Sequence, residues 1–299
     1  RIREVVGEQR FAMGVQLVEA QHDPLEIAAG LARVAEAALQ TGARAAIDEF
    51  ETVHGRIPGS DLLVLGLGRL GGGALTHASD LDVIYLFTGE IGVESNGKRP
   101  LTASLYYNRL AQRVTAALSV PTAAGALYEI DTRLRPQGTQ GPLAVSLDSF
   151  ARYQREDAWT WEHMALARAR PLFGPAEARA ALQRVIDDVL RQPRDPQALR
   201  ADVLKMRGAI AANKQPAGPL DAKLQRGGLI DCEFIIHYLQ LRERIGLSPD
   251  LELAIDALTE AGFLPSPFRA QHHLLTRLLV AARLLAPDGK PPAGQAQRV

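Results

Sequence analysis

The chain of 299 residues has a single cysteine, Cys232, so no intrachain disulfide framework can staple it. It also lacks an excess of either charge: Lys plus Arg and Asp plus Glu both number 34. A balanced chain builds no global field toward nucleic acid, which disfavours a nucleic-acid polymerase and leaves only local basic patches. No stretch approaches the roughly 20 apolar residues of a membrane span, and the start shows no secretion signal. No membrane and no nucleic acid are therefore expected as partners, and the cytoplasm is the natural compartment. The chain begins at Arg1 rather than at a methionine and reads as part of a longer protein. Its length suits about two domains, each able to bury a core.

The informative residues lie between positions 61 and 87. Ser79-Asp80-Leu81-Asp82 runs directly into Val83-Ile84-Tyr85-Leu86-Phe87. Alternation puts Asp80 and Asp82 on one side of a strand, and the apolar run after them reads as buried on both faces. Carboxylates this close repel each other, and burial makes ionising them costlier. A divalent cation is the simplest compensation, and hard oxygen ligands suit Mg²⁺ or Mn²⁺. The same pair could also be a turn or capping feature at the mouth of a strand.

Upstream, residues 61–66 read as a short buried strand ending in Gly66-Leu67-Gly68-Arg69-Leu70-Gly71-Gly72-Gly73. Glycines permit positive φ and let a phosphate approach the backbone N–H groups. Gly66, Gly68 and Gly71 formally match the dinucleotide fingerprint G-x-G-x-x-G. Only Ala74 to Ser79 separate these glycines from Asp80. That leaves room for one or two helical turns, not for the crossover helix that two parallel strands require, so the dinucleotide reading is rejected.

A third carboxylate is expected from Leu127 to Pro136, read as a strand over 125–134. There Asp131 alternates onto the same face as Arg133 and Arg135. This is either a surface strand with cross-strand ion pairs or, beside a metal-bound triphosphate, a third ligand with two phosphate clamps. Arginine suits the second role because its planar donors grip phosphate bidentately.

The strand, the turn Leu67-Gly68-Arg69 and the pair Asp80, Asp82 resemble the nucleotidyltransferase pattern of the DNA polymerase β type, although Arg69 stands where Gly or Ser is usual. Further blocks narrow the resemblance: Tyr128 to Pro136, Phe150 to Glu156, Trp159 to Pro171, and Gly227 to Phe234. In this order, over about residues 60–240, they are similar to the glutamine synthetase adenylyltransferase family. The resemblance implies an α+β fold: a polymerase-β-type mixed sheet with flanking helices, followed by an all-α helical bundle. It implies ATP as substrate, Mg²⁺ or Mn²⁺ as cofactor, and a tyrosine of glutamine synthetase as AMP acceptor. For the full-length enzyme it implies the PII signal protein as a partner in nitrogen regulation. Asp80, Asp82 and Asp131 would be catalytic and metal-binding. Gly66, Gly68, Arg69, Gly71, Ser79, Arg133 and Arg135 would bind the nucleotide. The blocks at Tyr128 and Trp159 resemble the C-terminal, AMP-attaching half of the family. The opposite, deadenylylating half and a degenerate nucleotide-binding module are the alternatives.

The expected organisation is a catalytic domain over 1–172, with helices in 1–54, and a helical bundle over 173–299. Strands are placed at about 61–66, 81–88, 125–134 and 142–146, with a helix at about 101–118. Bundle helices are placed at 176–191, 197–213, 231–245, 250–261 and 267–285, with a frayed tail from Ala286. Phe150, Tyr153 and Trp161 read as packing aromatics and Cys232 as core. Arg152, Arg155, Arg168 and Arg170 could face a triphosphate, but solvated helix charges are commoner. Asp231 suits a helix N-cap or a first-turn acid better than the active site. Lys223 could reach nucleotide, and neither it nor Glu233 has a role set by spacing. His77 and His163 show no zinc spacing.

Overall fold

The computed structural model of the protein describes residues 1–286 apart from Ala124 and Pro219. Two helices, α1 (Ile2–Val18) and α2 (Pro24–His54), lead into β1 (Leu62–Gly66), the single-turn helix α3 (Gly68–Gly71) and β2 (Leu81–Phe87). Then come α4 (Ala103–Ser119), β3 (Ile130–Asp131), β4 (Ala144–Ser146), α5 (Leu147–Glu156), α6 (Thr160–Leu166) and β5 (Arg170–Phe173). The rest is helical: α7 (Ala176–Leu190), α8 (Pro196–Asn213), α9 (Leu229–Glu243), α10 (Leu251–Glu260) and α11 (Phe268–Leu285).

Among the described residues the strands form one five-stranded mixed sheet centred on β1 and β2. These two run antiparallel, from Leu62 opposite Phe87 to Gly66 opposite Val83. An antiparallel pair needs no crossover helix, and the link between them holds only α3, so the dinucleotide fold is excluded as the sequence indicated. The other edge of β2 carries two short parallel partners. β3 pairs Ile130 and Asp131 with Leu81 and Asp82, and β4 pairs with Tyr85 to Phe87. β5 runs antiparallel to β1 on the far side.

The sheet is covered on both faces, which explains its unbroken apolar strands. Leu62, Val64, Leu81, Val83, Tyr85 and Phe87 pack with α2 and α4, through residues such as Leu39, Phe50, Tyr107 and Leu110. Leu63, Leu65, Ile84 and Leu86 face Phe150, Met164, Leu182 and Ile186 of α5, α6 and α7. By the same alternation Asp82 lies on the side of Ile84 and Leu86, toward the later helices. A third core joins α9, α10 and α11 through Ile236, Leu239, Ile255, Leu258 and Phe268. Asp23 starts α2 by accepting from Leu25 N at 2.9 Å and pairs at 2.6 Å with Arg277 of α11, tying the last helix to the second.

The α+β fold and the helix positions agree with the sequence reading. Two strand expectations do not. The strand expected over 125–134 is reduced to Ile130 and Asp131, because the chain turns immediately afterwards. Asp131 Oδ1 accepts from Arg133 N at 2.8 Å, and Arg135 N donates to Thr132 O at 3.3 Å. β5 was not expected at all. It contains Pro171, which lacks an N–H and is tolerated at a sheet edge. The division expected between 172 and 173 falls inside β5. Trp161, expected to pack, is 37 % exposed, whereas Phe150 is fully buried. The expected frayed tail lies outside the described residues, apart from Ala286, which is buried.

Candidate active site

Glycine lets the turn after β1 lie against β2. Gly68 has φ +54°, and a Cβ there would collide with Asp82 Oδ2. A Cβ on Gly71 would collide with the carbonyls of Arg168 and Gly66. Leu67 N donates to Asp82 O at 2.9 Å, and Gly71 N to Leu67 O at 2.8 Å. The turn is thereby fixed to the residue whose carboxylate it faces.

The parallel register of Asp82 with Asp131 brings the third carboxylate in. One oxygen from each of Asp80, Asp82 and Asp131 lies within 4.8 Å of the others. Burial first, then the charges of Asp80 and Asp131, push Asp82 up to about 6, with Lys223 and Arg168 opposing. Asp131 moves the other way: hydrogen bonds from the Arg133 side chain hold it below the usual carboxylate range. Asp131 thus carries a guanidinium, while Asp82, crowded by the other two carboxylates, resists ionisation. Three converging carboxylates, one of them resisting ionisation, fit a hard divalent cation such as Mg²⁺ or Mn²⁺.

Facing the carboxylates is a wall of opposite sign. A cavity of about 200 Å³ lies between Gly68, Ser79, Asp80 and Asp82 on one side and Arg168, Lys223 and Glu233 on the other. Glu233 of α9 holds Arg168 Nη1 at 3.0 Å and Arg69 Nη2 at 3.6 Å. Burial alone would raise the Glu233 carboxyl, but Arg168 and then Arg69 outweigh it and hold it down at about 2. Burial lowers the Arg69 guanidinium. Burial, then the neighbouring Arg69, lowers the Lys223 ammonium. Among the described residues Lys223 has no carboxylate at ion-pair distance. Its backbone is nonetheless fixed, since Asp221 Oδ1 accepts from Lys223 N at 3.0 Å and Leu224 N at 2.9 Å.

Residues 1–185 match the family of glutamate-ammonia ligase adenylyltransferases. The chain belongs to that family. Among curated relatives, it is 42% identical over 83% of its length to the bifunctional glutamine synthetase adenylyltransferase/adenylyl-removing enzyme of Brucella suis biovar 1 (strain 1330), covering 25% of that protein. It is 43% identical over 81% of its length to the enzyme of the same name from Agrobacterium fabrum (strain C58 / ATCC 33970), covering 24%. It is 42% identical over 81% to the one from Xanthobacter autotrophicus (strain ATCC BAA-1158 / Py2), covering 25%. The chain thus spans about a quarter of the length of these relatives.

This member of the glutamate-ammonia ligase adenylyltransferase family brings Gly68, Arg69, Ser79, Asp80 and Asp82 to one cavity, with Asp131 adjoining through the strand register. Ser79 Oγ accepts from Thr76 N at 3.0 Å, which fixes the approach to Asp80. Gly66 and Gly71 back the turn without lining the cavity. Arg133 rests on Asp131 with its side chain 75% exposed. Arg135 is turned into its own loop, donating to Thr132 O at 2.8 Å and Gly141 O at 3.3 Å. The shared strand face expected for Asp131, Arg133 and Arg135 does not form, because the strand stops at Asp131.

Sequence reasoning favoured a solvated charge for Arg168, which is instead buried against the cavity, and left Glu233 without a role; both are central. Their only signal was membership of the blocks at Trp159 and Gly227. Arg170, grouped with Arg168 by sequence, binds Glu36 at 2.8 Å and the Gly71 carbonyl at 3.2 Å outside the cavity. Arg152 and Arg155 are exposed on α5. Asp231 is not the cap of α9, which is Gly228; it is an acid of the first turn, accepting from Gly227 N at 2.6 Å and pairing with Arg207 away from the catalytic cavity. His77 contacts the Arg10 carbonyl and His163 the Gln154 carbonyl, and neither joins an acidic cluster.

Proposed function

We propose that this chain transfers AMP from ATP to a tyrosine of glutamine synthetase, as the AMP-attaching half of a longer enzyme. The observation that carries this reading is the segregation of charge across one small cavity. Asp80 and Asp82, with Asp131 adjoining them, line the cavity together with Arg69, Arg168 and Lys223, an arrangement suited to a metal-bound polyphosphate. The relatives' names cover both attachment and removal of the adenylyl group. The chain has one glycine turn and one D-x-D, which supports one direction of reaction here. The resemblance of Tyr128 to Pro136 and Trp159 to His163 to the attaching half supports which one.

In this reading residues 1–172 are the catalytic unit and 173–299 a helical unit that supplies the Lys223 loop and Glu233. Asp80, Asp82 and Asp131 would hold divalent ions, which when bound would stabilise charge on the attacking and leaving oxygens. The N–H groups of the turn at Gly68 and Arg69 approach the triphosphate, and Lys223 neutralises the departing pyrophosphate. Arg133 keeps Asp131 ionised and so fit to be a metal ligand, and Asp131 is also placed to take the proton of the attacking hydroxyl, whose free pKa is about 10. Glu233 fixes Arg69 and Arg168 before substrate arrives, so the cavity needs no reorganisation during the reaction. For the longer protein the proposal includes the PII signal protein as a partner and a cytoplasmic location.

The test is transfer of label from ATP labelled at the α-phosphate to unmodified glutamine synthetase. Transfer is expected for the parent and abolished in Asp80→Asn. Equal labelling by the variant refutes the carboxylate assignment. Release of ADP from AMP-bearing glutamine synthetase and phosphate, with no labelling of the unmodified form, reverses the direction.

A further inference from the structure

The helix α8 is packed only over its first half. Leu199 and Val203 are its buried residues, and none from Leu204 to Asn213 is buried. Leu204 is 58% exposed, as is 44% of Ile235 on α9 opposite. Between them lies a groove of about 960 Å³, reached also by Phe234 and Tyr238, several times the size of the catalytic cavity. Exposed apolar side chains gathered in one concavity mark a site of association.

The charge of the groove is one-sided. Arg200, Arg207, Lys214 and Arg226 line it with a single carboxylate, Asp231, which is already held by Arg207 and Gly227 N. Among the described residues the side chains of Arg200, Lys214 and Arg226 form no ion pair. An apolar floor with a cationic rim is complementary to an amphipathic helix that carries acids beside its apolar stripe. The position relates the groove to the chemistry. Glu233 turns into the catalytic cavity, while Phe234 and Ile235, next on the same helix, turn into the groove.

We propose that the groove between α8 and α9 docks an acidic amphipathic segment of the acceptor protein and so delivers it beside the cavity. This rests on the reading that the chain transfers AMP to a protein. Gly208 provides a clean probe. It lies in α8 and lines the groove, and a Cβ there would meet nothing within 4 Å. A large side chain at 208 therefore fills the groove without displacing the core, and replacing a helical glycine favours the helix.

The experiment measures binding of the chain to unmodified glutamine synthetase, alongside ATP affinity and AMP labelling. Gly208→Phe and Arg226→Glu are each expected to weaken binding about tenfold, as loss of a central contact does, with ATP affinity at the parent value. Parent binding should weaken as salt is raised. If the parent labels glutamine synthetase and both variants bind it equally well, the groove proposal is overturned and the AMP-transfer reading stands. A parent that neither binds nor labels it refutes both. A parent that is dimeric and becomes monomeric on Gly208→Phe assigns the groove to a second copy of the chain and overturns the proposal.

Discussion

Replacing Asp82 by asparagine should stabilise the metal-free protein at alkaline pH while disabling its metal site. Burial, Asp80 and Asp131 raise this carboxyl from 3.8 to about 6. A rise of about two pH units, at roughly 1.4 kcal/mol each, makes the ionised folded state less stable by about 3 kcal/mol. The folded pKa lies above the unfolded one, so the folded state holds the proton more tightly. The cost is therefore full above about pH 6, fades as the pH falls toward 3.8, and is absent below. The asparagine amide resembles the protonated acid and escapes the cost. Urea denaturation with a chelator present should show a gain of up to about 3 kcal/mol at about pH 8 that vanishes near pH 4. Added Mg²⁺ should reverse the order, because only the parent gains stability by binding it. A difference between parent and variant that is the same at both pH values, or an equal Mg²⁺ gain in both, would refute the crowded-carboxylate account.

Gly68→Ala places a side chain at φ +54° against Asp82; it should cost about 1–2 kcal/mol for the left-handed backbone alone and weaken Mn²⁺ binding, and an unchanged Mn²⁺ titration would count against the close approach. Glu233→Gln leaves Arg168 and Arg69 facing each other without their shared carboxylate. The expected loss is about 2–3 kcal/mol, below that of a wholly buried pair because Glu233 keeps 20% of its side-chain exposure; a melting temperature equal to the parent's would refute it. Lys223→Met should weaken binding of a non-hydrolysable ATP analogue by about 1.5–3 kcal/mol, the worth of a charged hydrogen bond, as read by calorimetry; unchanged affinity would remove Lys223 from the phosphate site.

What the sequence revealed was whatever a local pattern encodes. The alternation of Asp80 and Asp82 ahead of an apolar run set their common side, and the short spacer after Gly73 excluded a crossover. Helical periodicity located the bundle helices, because each buries a stripe that recurs along its own length. β5 carried no such pattern: four residues with a proline have no period to read, and their strand character comes from β1. Asp131 joined the cluster through the register of β3 on β2, while the turn at Thr132 sent Arg135 into its own loop and left Arg133 on Asp131 from outside the strand. The ion pair of Glu233 with Arg168 joins residues far apart in sequence, and no spacing rule announces it.

The shared hold of Glu233 on Arg69 and Arg168 also bears on how such enzymes can be taken apart. A fragment ending at residue 172 would keep all three carboxylates, the whole glycine turn and Arg168, yet it would lose Lys223 and Glu233 from the facing wall and would break β5 at its last residue. Grafting the sheet of one relative onto the helices of another carries the same hazard, since the guanidiniums come from one parent and the carboxylate that aligns them from the other. The transplantable unit runs at least from the glycine turn through α9, and a chimaera that respects that border keeps the pocket whole.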